Sequence, residues 1–180
     1  MATGRLPKRK RRTKRAGAFP RRGHDHHSCV EAAVARASSL CLRRGVRLTA
    51  LRRRVLELVW RRHEPVGAYT ILHSLRRRGR VAAPPTVYRA LDFLLQHGFV
   101  HRIESRNAFV GCARPGRSHP GQFLICGKCG SAAELADSRI DGAIARRAAR
   151  VGFTVENQTI EVSGLCPRCR PRRRLRGKKR

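Results

Sequence analysis

Two cysteine pairs of identical spacing are the strongest chemical signal in this sequence of 180 residues. Cys126 and Cys129 form one C-x-x-C pair, and Cys166 and Cys169 form a second pair after an interval of 36 residues. A turn with this spacing presents two thiolates to one metal ion, and two such turns complete the closed tetrahedral site typical of structural zinc. Disulfides or a thioredoxin-like redox pair are the alternatives, but a redox pair usually opens a helix, whereas we expect both pairs on turns beside strands. The pattern therefore favours a zinc site that supports the fold.

Four further residues have side chains that commonly bind metals, and they are spread over the middle of the chain: His101, Cys112, His119 and Glu134. A thiolate, two imidazoles and a carboxylate make a complete tetrahedral set that suits Zn²⁺ better than Mn²⁺. Spacing alone does not separate this interpretation from three exposed polar residues and a small buried thiol. A second metal site is thus one of two open interpretations of these residues.

The positive charge of the chain is concentrated at its two ends. The chain has 42 Lys and Arg against 11 Asp and Glu, a net charge of +31. Residues 1–22 hold ten basic residues and residues 168–180 hold nine, without an acidic residue in either segment. Such ends are solvated basic tails, whereas the middle has the apolar content of a globular protein. This charge indicates binding to nucleic acid, because aromatic residues are only 5% of the chain and no basic helix rich in Trp and Phe favours a membrane surface.

Several classes of protein are disfavoured by composition and pattern. No apolar run approaches the ~18 residues needed to cross a bilayer. Residues 16–30 contain Arg, Asp and His where a secretory signal needs an apolar core. The C-x-x-C pairs fit a reducing compartment, so we expect a cytoplasmic protein. No nucleophile–base arrangement or phosphate-binding glycine loop is present, and we therefore expect neither an enzyme nor a small-molecule substrate.

The hydrophobic pattern predicts four helices followed by a short hairpin. The first helix begins at Ser28 with Glu31 in a capping box, and the next two cover 49–62 and 67–78. The fourth runs from Thr86 to Gln96 or His97, with an apolar face that leaves Thr86, Arg89 and Phe93 outside: Val87, Leu91, Leu94 and Leu95. Strand-like runs at 99–104 and 108–112 flank a turn at 105–107. This order is that of a winged helix-turn-helix, whose fourth helix would enter the major groove of DNA.

A second, smaller domain follows a hinge loop at 113–118. Its pattern predicts strands near 122–126, 131–135, 153–156 and 159–163 and a helix over 138–150. It has few core residues, so we expect metal and dimer contacts to complete it. The predicted fold class is α+β: a basic tail at 1–27, a winged helix at 28–112, the hinge, a zinc-binding α/β dimerisation domain at 119–169 and a basic tail at 170–180. A metal held by His101, Cys112, His119 and Glu134 would fix the angle between the two domains.

Four segments resemble the ferric uptake regulator (Fur) superfamily, and most closely its zinc-sensing members: 45–49 (GVRLT), 84–95 (PPTVYRALDFLL), 98–101 (GFVH) and 103–105 (IES). The resemblance covers roughly 30–169 and implies a zinc-activated, DNA-binding repressor. By position, the four cysteines of the C-x-x-C pairs match the structural zinc site, and the set from His101 to Glu134 matches the regulatory site. Tyr69 and Arg89 match positions that contact DNA, and Thr86 and Tyr88 complete the expected contact set.

Two positions depart from the pattern of the superfamily. The His-rich run of iron-sensing members is reduced to one histidine in 118–122 (SHPGQ), which argues against an iron or peroxide sensor. Ala50 replaces the usual proline after Leu48-Thr49, which should only soften a helix start. A cluster ahead of the first helix could bind a further metal or be a linker with incidental histidines: His24, His26, His27 and Cys29.

The resulting expectation is a cytoplasmic homodimer that binds a palindromic site in double-stranded DNA and represses zinc-uptake genes. Each chain would bind two Zn²⁺ ions, one structural and one regulatory, and would need no membrane partner. Two alternatives stay open: a regulator of the same superfamily that senses another metal, and a constitutive zinc-ribbon protein that binds nucleic acid mainly through its tails.

Overall fold

The computed structural model describes residue 19 and the ranges 25–77, 83–116, 119–135 and 137–171. The predicted basic tails lie almost entirely outside these residues, as do His24 and part of the predicted hinge loop. Within the described residues, no helix combines the length and apolar character needed to cross a membrane.

Four helices and a two-stranded hairpin form the first part of the chain: α1 (His26–Arg43), α2 (Ala50–Trp60), α3 (Ala68–Arg76), α4 (Pro84–Gln96), β1 (Val100–Ile103) and β2 (Ala108–Gly111). A single 3₁₀ turn (Glu104–Arg106), here called the wing turn, joins the antiparallel strands of the hairpin, here called the wing. Asn107 closes this turn in the left-handed conformation at φ 44°. The order of elements confirms the predicted winged helix-turn-helix.

The second part is a three-stranded sheet with one helix: β3 (Gly121–Cys126), β4 (Ala132–Glu134), α5 (Ser138–Ala149) and β5 (Thr159–Gly164). The strand order is β4-β3-β5, with β4 antiparallel and β5 parallel to the central β3. The α5 helix provides the crossover that a parallel pair requires. The mixed α+β class is therefore confirmed, but the strand predicted at 153–156 is wrong, since these residues form an irregular approach to β5.

The first helix begins earlier than predicted, because Asp25 rather than Ser28 is its N-cap. The Asp25 carboxylate accepts hydrogen bonds from the backbone N–H groups of His27 and Ser28, at 2.9 and 3.3 Å. Glu31 lies 3.5 Å from the His27 ring instead of closing a capping box. The α4 helix likewise begins at Pro84 rather than Thr86, because the fixed φ of proline suits the first helical positions.

The main core lies between α1, α2, α3, α4 and the wing. Its fully buried side chains include Val55, Leu56, Ile71, Leu91 and Leu94. Phe93 was predicted outside the apolar face of α4, and this is wrong: its side chain is buried. The guanidinium of Arg52 on α2 covers its ring at 3.6 Å from the centroid.

Candidate metal centres and nucleic-acid surface

The two C-x-x-C turns meet at one end of the three-stranded sheet. Cys126 ends β3 and pairs in register with Gly164 of the parallel strand β5, so that Cys166 follows directly beside it. The four sulfurs of Cys126, Cys129, Cys166 and Cys169, here called the four-cysteine cluster, all lie within 4.8 Å of one another. All seven cysteines of the chain are among the described residues, and none of them is in a disulfide. The structure thus brings together the residues predicted for structural zinc.

The distances and charges of this cluster fit Zn²⁺. The Sγ atoms of Cys129 and Cys166 are 3.7 Å apart, and a tetrahedron with Zn–S bonds of 2.3 Å has edges of about 3.8 Å. Backbone N–H groups of Cys166 and Cys129 lower the pKa of Cys126 to about 6. Burial and the neighbouring cysteines raise the pKa of Cys169 to about 12, since further thiolates repel one another. A divalent cation at the centre removes that penalty.

The second group is drawn from both parts of the chain: His101 on β1, Cys112 just after β2, His119 just before β3 and Glu134 at the end of β4. One ligand atom from each lies within 4.8 Å of the others, and the set is here called the hinge cluster. Cys112 Sγ is 3.6 Å from Nε2 of His119, where a tetrahedral zinc site would place them about 3.5 Å apart. Glu134 Oε1 is 2.7 Å from the same Nε2 and Oε2 is 3.9 Å from Nε2 of His101.

The hinge cluster has the electrostatics of a site that needs a cation. Cys112 is 1% exposed and Glu134 is 9% exposed. His101 Nε2 is buried and has no hydrogen-bond partner, although unpaired buried polar atoms are costly. Burial and the Glu134 charge raise the pKa of Cys112 to about 12, and burial lowers the pKa of His101. A zinc ion bound by the four side chains would satisfy these atoms at once, so the residues fit the ion.

Neighbouring groups orient the carboxylate of the hinge cluster. The backbone N–H of Ala113 donates to Glu134 Oε2 at 2.9 Å, and the Arg114 guanidinium lies 3.7 Å from Oε1. At the four-cysteine cluster, the hydroxyl of Ser131 lies 3.3 Å from Cys129 Sγ and helps to lower the pKa of that cysteine. Sequence reasoning missed these three residues, because a backbone N–H, an arginine and a serine carry no spacing signal.

Each of the four residues expected to contact DNA has an exposed side chain. Thr86, Tyr88 and Arg89 are exposed on α4, whereas Val87 and Leu91 of the same helix are buried. Tyr69 on α3 is 73% exposed, so its ring is accessible to a partner. The wing and α4 are adjacent in the chain and in space. This arrangement is suited to insertion of α4 into a major groove.

The described members of the cluster predicted ahead of the first helix, His26, His27 and Cys29, lie at the start of α1 and do not converge on a metal geometry. The His26 ring packs against His63 at 4.8 Å between centroids, whereas His27 pairs with Glu31. Two groups of three or more candidate ligands occur in the described ranges, and neither contains His26, His27 or Cys29. His24 lies outside those ranges.

Comparison with known proteins identifies the family of this chain. Residues 43–163 match the model of the Ferric uptake regulator family. The zinc uptake regulation protein of Escherichia coli (strain K12) is 40% identical over 139 residues, which cover 76% of this chain and 80% of that protein. The protein of the same name from Mycobacterium tuberculosis (strain H37Rv) is 31% identical over 129 residues, covering 70% of this chain and 96% of that one.

Two solved structures share both the fold and substantial identity with this chain. A zinc uptake regulator complexed with zinc and DNA superposes with a TM-score of 0.74 at 39% identity, over 78% of this chain and 94% of the other. The crystal structure of holo XcZur superposes with a TM-score of 0.71 at 46% identity, over 77% and 96%. The family match spans more than half of the sequence and includes the wing and most of the second domain. This chain belongs to the ferric uptake regulator family.

Proposed function

We propose that this protein is a cytoplasmic, zinc-responsive repressor that binds DNA as a homodimer and controls zinc-uptake genes. The observation that carries the proposal is the hinge cluster, whose four candidate ligands come from the wing on one side and the sheet on the other. Relatives that are 40% and 31% identical are zinc uptake regulation proteins. The structure of a similar chain has been solved with both zinc and DNA, which supports zinc and DNA as the binding partners of this protein.

The four-cysteine cluster would hold one Zn²⁺ for structural support. Its thiols join the end of β3 to the turn after β5, and α5 has no buried residue that could contribute a core of its own. Small domains with little core commonly depend on a metal for folding. This zinc should therefore resist mild chelators and be lost only with the fold.

The hinge cluster would hold a second Zn²⁺, whose charge would offset the buried Glu134 carboxylate and satisfy the buried Nε2 atom of His101. His101 and Cys112 move with the wing, while His119 and Glu134 move with the sheet. All four can meet only in the closed arrangement of the two parts. If this arrangement is the one that binds DNA, zinc strengthens DNA binding only to the extent that it binds this arrangement more tightly than the others.

A homodimer is supported by the uncovered apolar face of the second domain. Ile144 on α5 and Val151, Phe153 and Ile160 near β5 line an open groove of 720 Å³, and Val151 and Phe153 are 81% and 65% exposed. Apolar surface concentrated in this way marks an interaction site in most globular proteins. A second copy of the chain would cover it and would place the two α4 helices on one DNA duplex.

The DNA interface would use Tyr69, Thr86, Tyr88 and Arg89. In a symmetric dimer, the two α4 helices can meet successive major grooves of a palindrome, about 34 Å apart. Arg89 is the residue best suited to read a guanine, because its guanidinium can donate two hydrogen bonds to one base edge. The basic tails would add phosphate contacts that strengthen binding to all sequences alike.

The experiment that tests the proposal measures zinc per chain and DNA affinity on the same samples, before and after a mild chelator. We expect two zinc ions per chain, one of which leaves together with DNA binding. Cys112→Ser should abolish the zinc-dependent part of DNA binding and keep the four-cysteine zinc. Cys29→Ser, a half-buried cysteine outside both clusters, is the matched control and should respond as the wild type does. One chelator-resistant zinc with unchanged DNA binding would instead indicate a constitutive zinc-ribbon protein.

A further inference from the structure

A single glutamate of the second domain contacts the wing turn at a point away from the hinge cluster. Glu161 lies in the middle of β5, in register with Phe123 of β3. Its Oε1 accepts the backbone N–H of Glu104 at 2.6 Å, and its Oε2 accepts that of Ser105 at 3.2 Å. These bonds join residues 57 and 56 positions apart in the sequence. One carboxylate thus bonds the start of the wing turn from another domain.

The two N–H groups are the donors that a helical turn leaves without an internal partner. The residue that precedes the turn, Ile103, has no side chain able to cap it. Glu161 supplies the cap in its place, with charge-assisted hydrogen bonds that are about twice as strong as neutral ones. Burial would raise the pKa of Glu161, but the hydrogen bonds from Ser105 and Glu104 lower it overall. The ionised carboxylate is therefore the form that binds the wing.

A second contact of the same turn reaches the four-cysteine cluster. Arg106 Nη2 points at the carbonyl oxygen of Cys126 at a distance of 3.5 Å. The wing turn is consequently placed between β5 and the C-x-x-C turn that ends β3. Because β1 leads into the turn and β2 leaves it, the position of the turn sets the position of both strands. His101 lies on β1, and Cys112 follows directly after β2.

We propose that Glu161 is a positioning residue that holds the wing against the second domain and preorganises the hinge cluster for zinc. The contact selects the arrangement in which His101 and Cys112 meet His119 and Glu134. Removing the Glu161 contact should then weaken zinc binding at the hinge cluster and DNA binding together, although Glu161 would contact neither the zinc nor the DNA. This inference rests on the proposed function, since it describes how the same closed state is stabilised.

The test compares Glu161→Gln with Glu156→Gln in the full-length protein loaded with structural zinc. Glutamine keeps the shape of the side chain, but its amide group turns a donor toward one of the two N–H donors. Glu156 is exposed on the loop before β5, and its replacement removes the same charge from the same domain. Hinge zinc affinity is measured by competition with a chelator, and DNA affinity is measured at saturating and at zero added zinc.

We expect Glu161→Gln to weaken hinge zinc binding by about five- to tenfold, the difference between a charge-assisted and a neutral hydrogen bond. Zinc-loaded DNA affinity should fall with it, while the four-cysteine zinc and the dimer persist. Glu156→Gln should match the wild type. A variant that loses thermal stability but keeps normal hinge zinc affinity would show a purely structural role and overturn the inference.

Two further outcomes separate this inference from the proposed function. If wild-type DNA binding ignores zinc, the proposed sensor fails, yet X-ray scattering of Glu161→Gln without hinge zinc should still show a more extended particle than Glu156→Gln. If the wild type responds to zinc and both variants behave like it, only the inference fails. Should Glu161→Gln lose the four-cysteine zinc, Glu161→Asp is used, because its shorter carboxylate keeps the charge but cannot reach both N–H groups.

Discussion

Replacing Gly111 with alanine should destabilise the wing, because the strand and α2 approach each other too closely for a side chain at this position. Gly111 ends β2 against the indole of Trp60, the last residue of α2. A Cβ atom added at Gly111 would overlap Cε2 and Nε1 of that indole and lie 2.7 Å from Cδ2. Carbon atoms in favourable contact are about 3.5–4.0 Å apart. The indole or the strand must therefore move by roughly 1 Å or more to restore a normal contact distance.

The expected cost follows from what an added methyl group does in a packed region. Overpacking of this kind destabilises proteins by about 1–3 kcal/mol. In a domain of this size each kcal/mol lowers the melting temperature by roughly 4–8 °C. The shift should also reach the proposed zinc ligand Cys112, because it follows Gly111 directly. We therefore expect weaker zinc binding at the hinge cluster beside the loss of stability.

Thermal and urea unfolding of the zinc-loaded protein measure this effect. Gly164→Ala on β5 is the matched control, since a Cβ there would meet no atom within 4 Å. It should leave the free energy of unfolding nearly unchanged. Trp60→Leu should rescue Gly111→Ala in part, with a coupling energy of about 0.5–3 kcal/mol in a double-mutant cycle. Equal stability of Gly111→Ala and Gly164→Ala, or additive effects in the cycle, would refute the steric explanation.

Three further perturbations test the electrostatics and the DNA interface. Burial raises the pKa of Glu57, but hydrogen bonds from Arg54 and Arg53 outweigh this effect and lower the pKa below its ordinary value of 4.5. Glu57→Gln should therefore reduce stability at neutral pH and flatten the loss of stability as the pH falls below about 4.5. Unchanged acid unfolding would contradict this expectation. Arg89→Lys should cost about 1–3 kcal/mol of discrimination between a selected duplex and a scrambled one, because lysine cannot form the bidentate contact. An equal loss of affinity for both duplexes would instead indicate that Arg89 contacts a phosphate. Deleting 1–22 and 170–180 should lower affinity for all duplexes about equally and reduce the salt dependence of binding, whereas a changed sequence preference would assign the tails a role in base recognition.

The helices of the first domain could be predicted because each has a clear apolar stripe and local start signals. The error at Phe93 has a simple origin. The Phe93 side chain packs within the main core, and its ring is also covered by Arg52 of another helix and lies 4.3 Å from the centroid of the His97 ring. Periodicity along one helix contains no information about a cation supplied by its neighbour. The start of α1 was placed too late for a local reason: Ser28 and Glu31 match a capping box, but Asp25 satisfies the same N–H groups first.

The strand predicted at 153–156 fails for a topological reason. The central strand β3 already has β4 on one edge and β5 on the other. Another strand would have to pair with an outer edge of the sheet, and the segment that includes Phe153 and Val155 instead lies beside α5. Alternating hydrophobicity predicts an extended chain, but only the sheet order shows whether a partner edge is free.

The hinge cluster shows what spacing could not decide and why its geometry suits a sensor. His101 and Cys112 are adjacent because β1 and β2 pair in a register that sets Val100 opposite Gly111. Glu134 on β4 pairs in register with Phe123 on β3, and Phe123 lies four residues after His119. Each pair of ligands is thus formed inside one domain, whereas the complete set exists in one orientation of the two domains. An ion that needs all four ligands stabilises that orientation, and the bonds from Glu161 to the wing turn act on the same equilibrium from the other end of the strands. Zinc affinity and DNA affinity should therefore change together in variants of either contact.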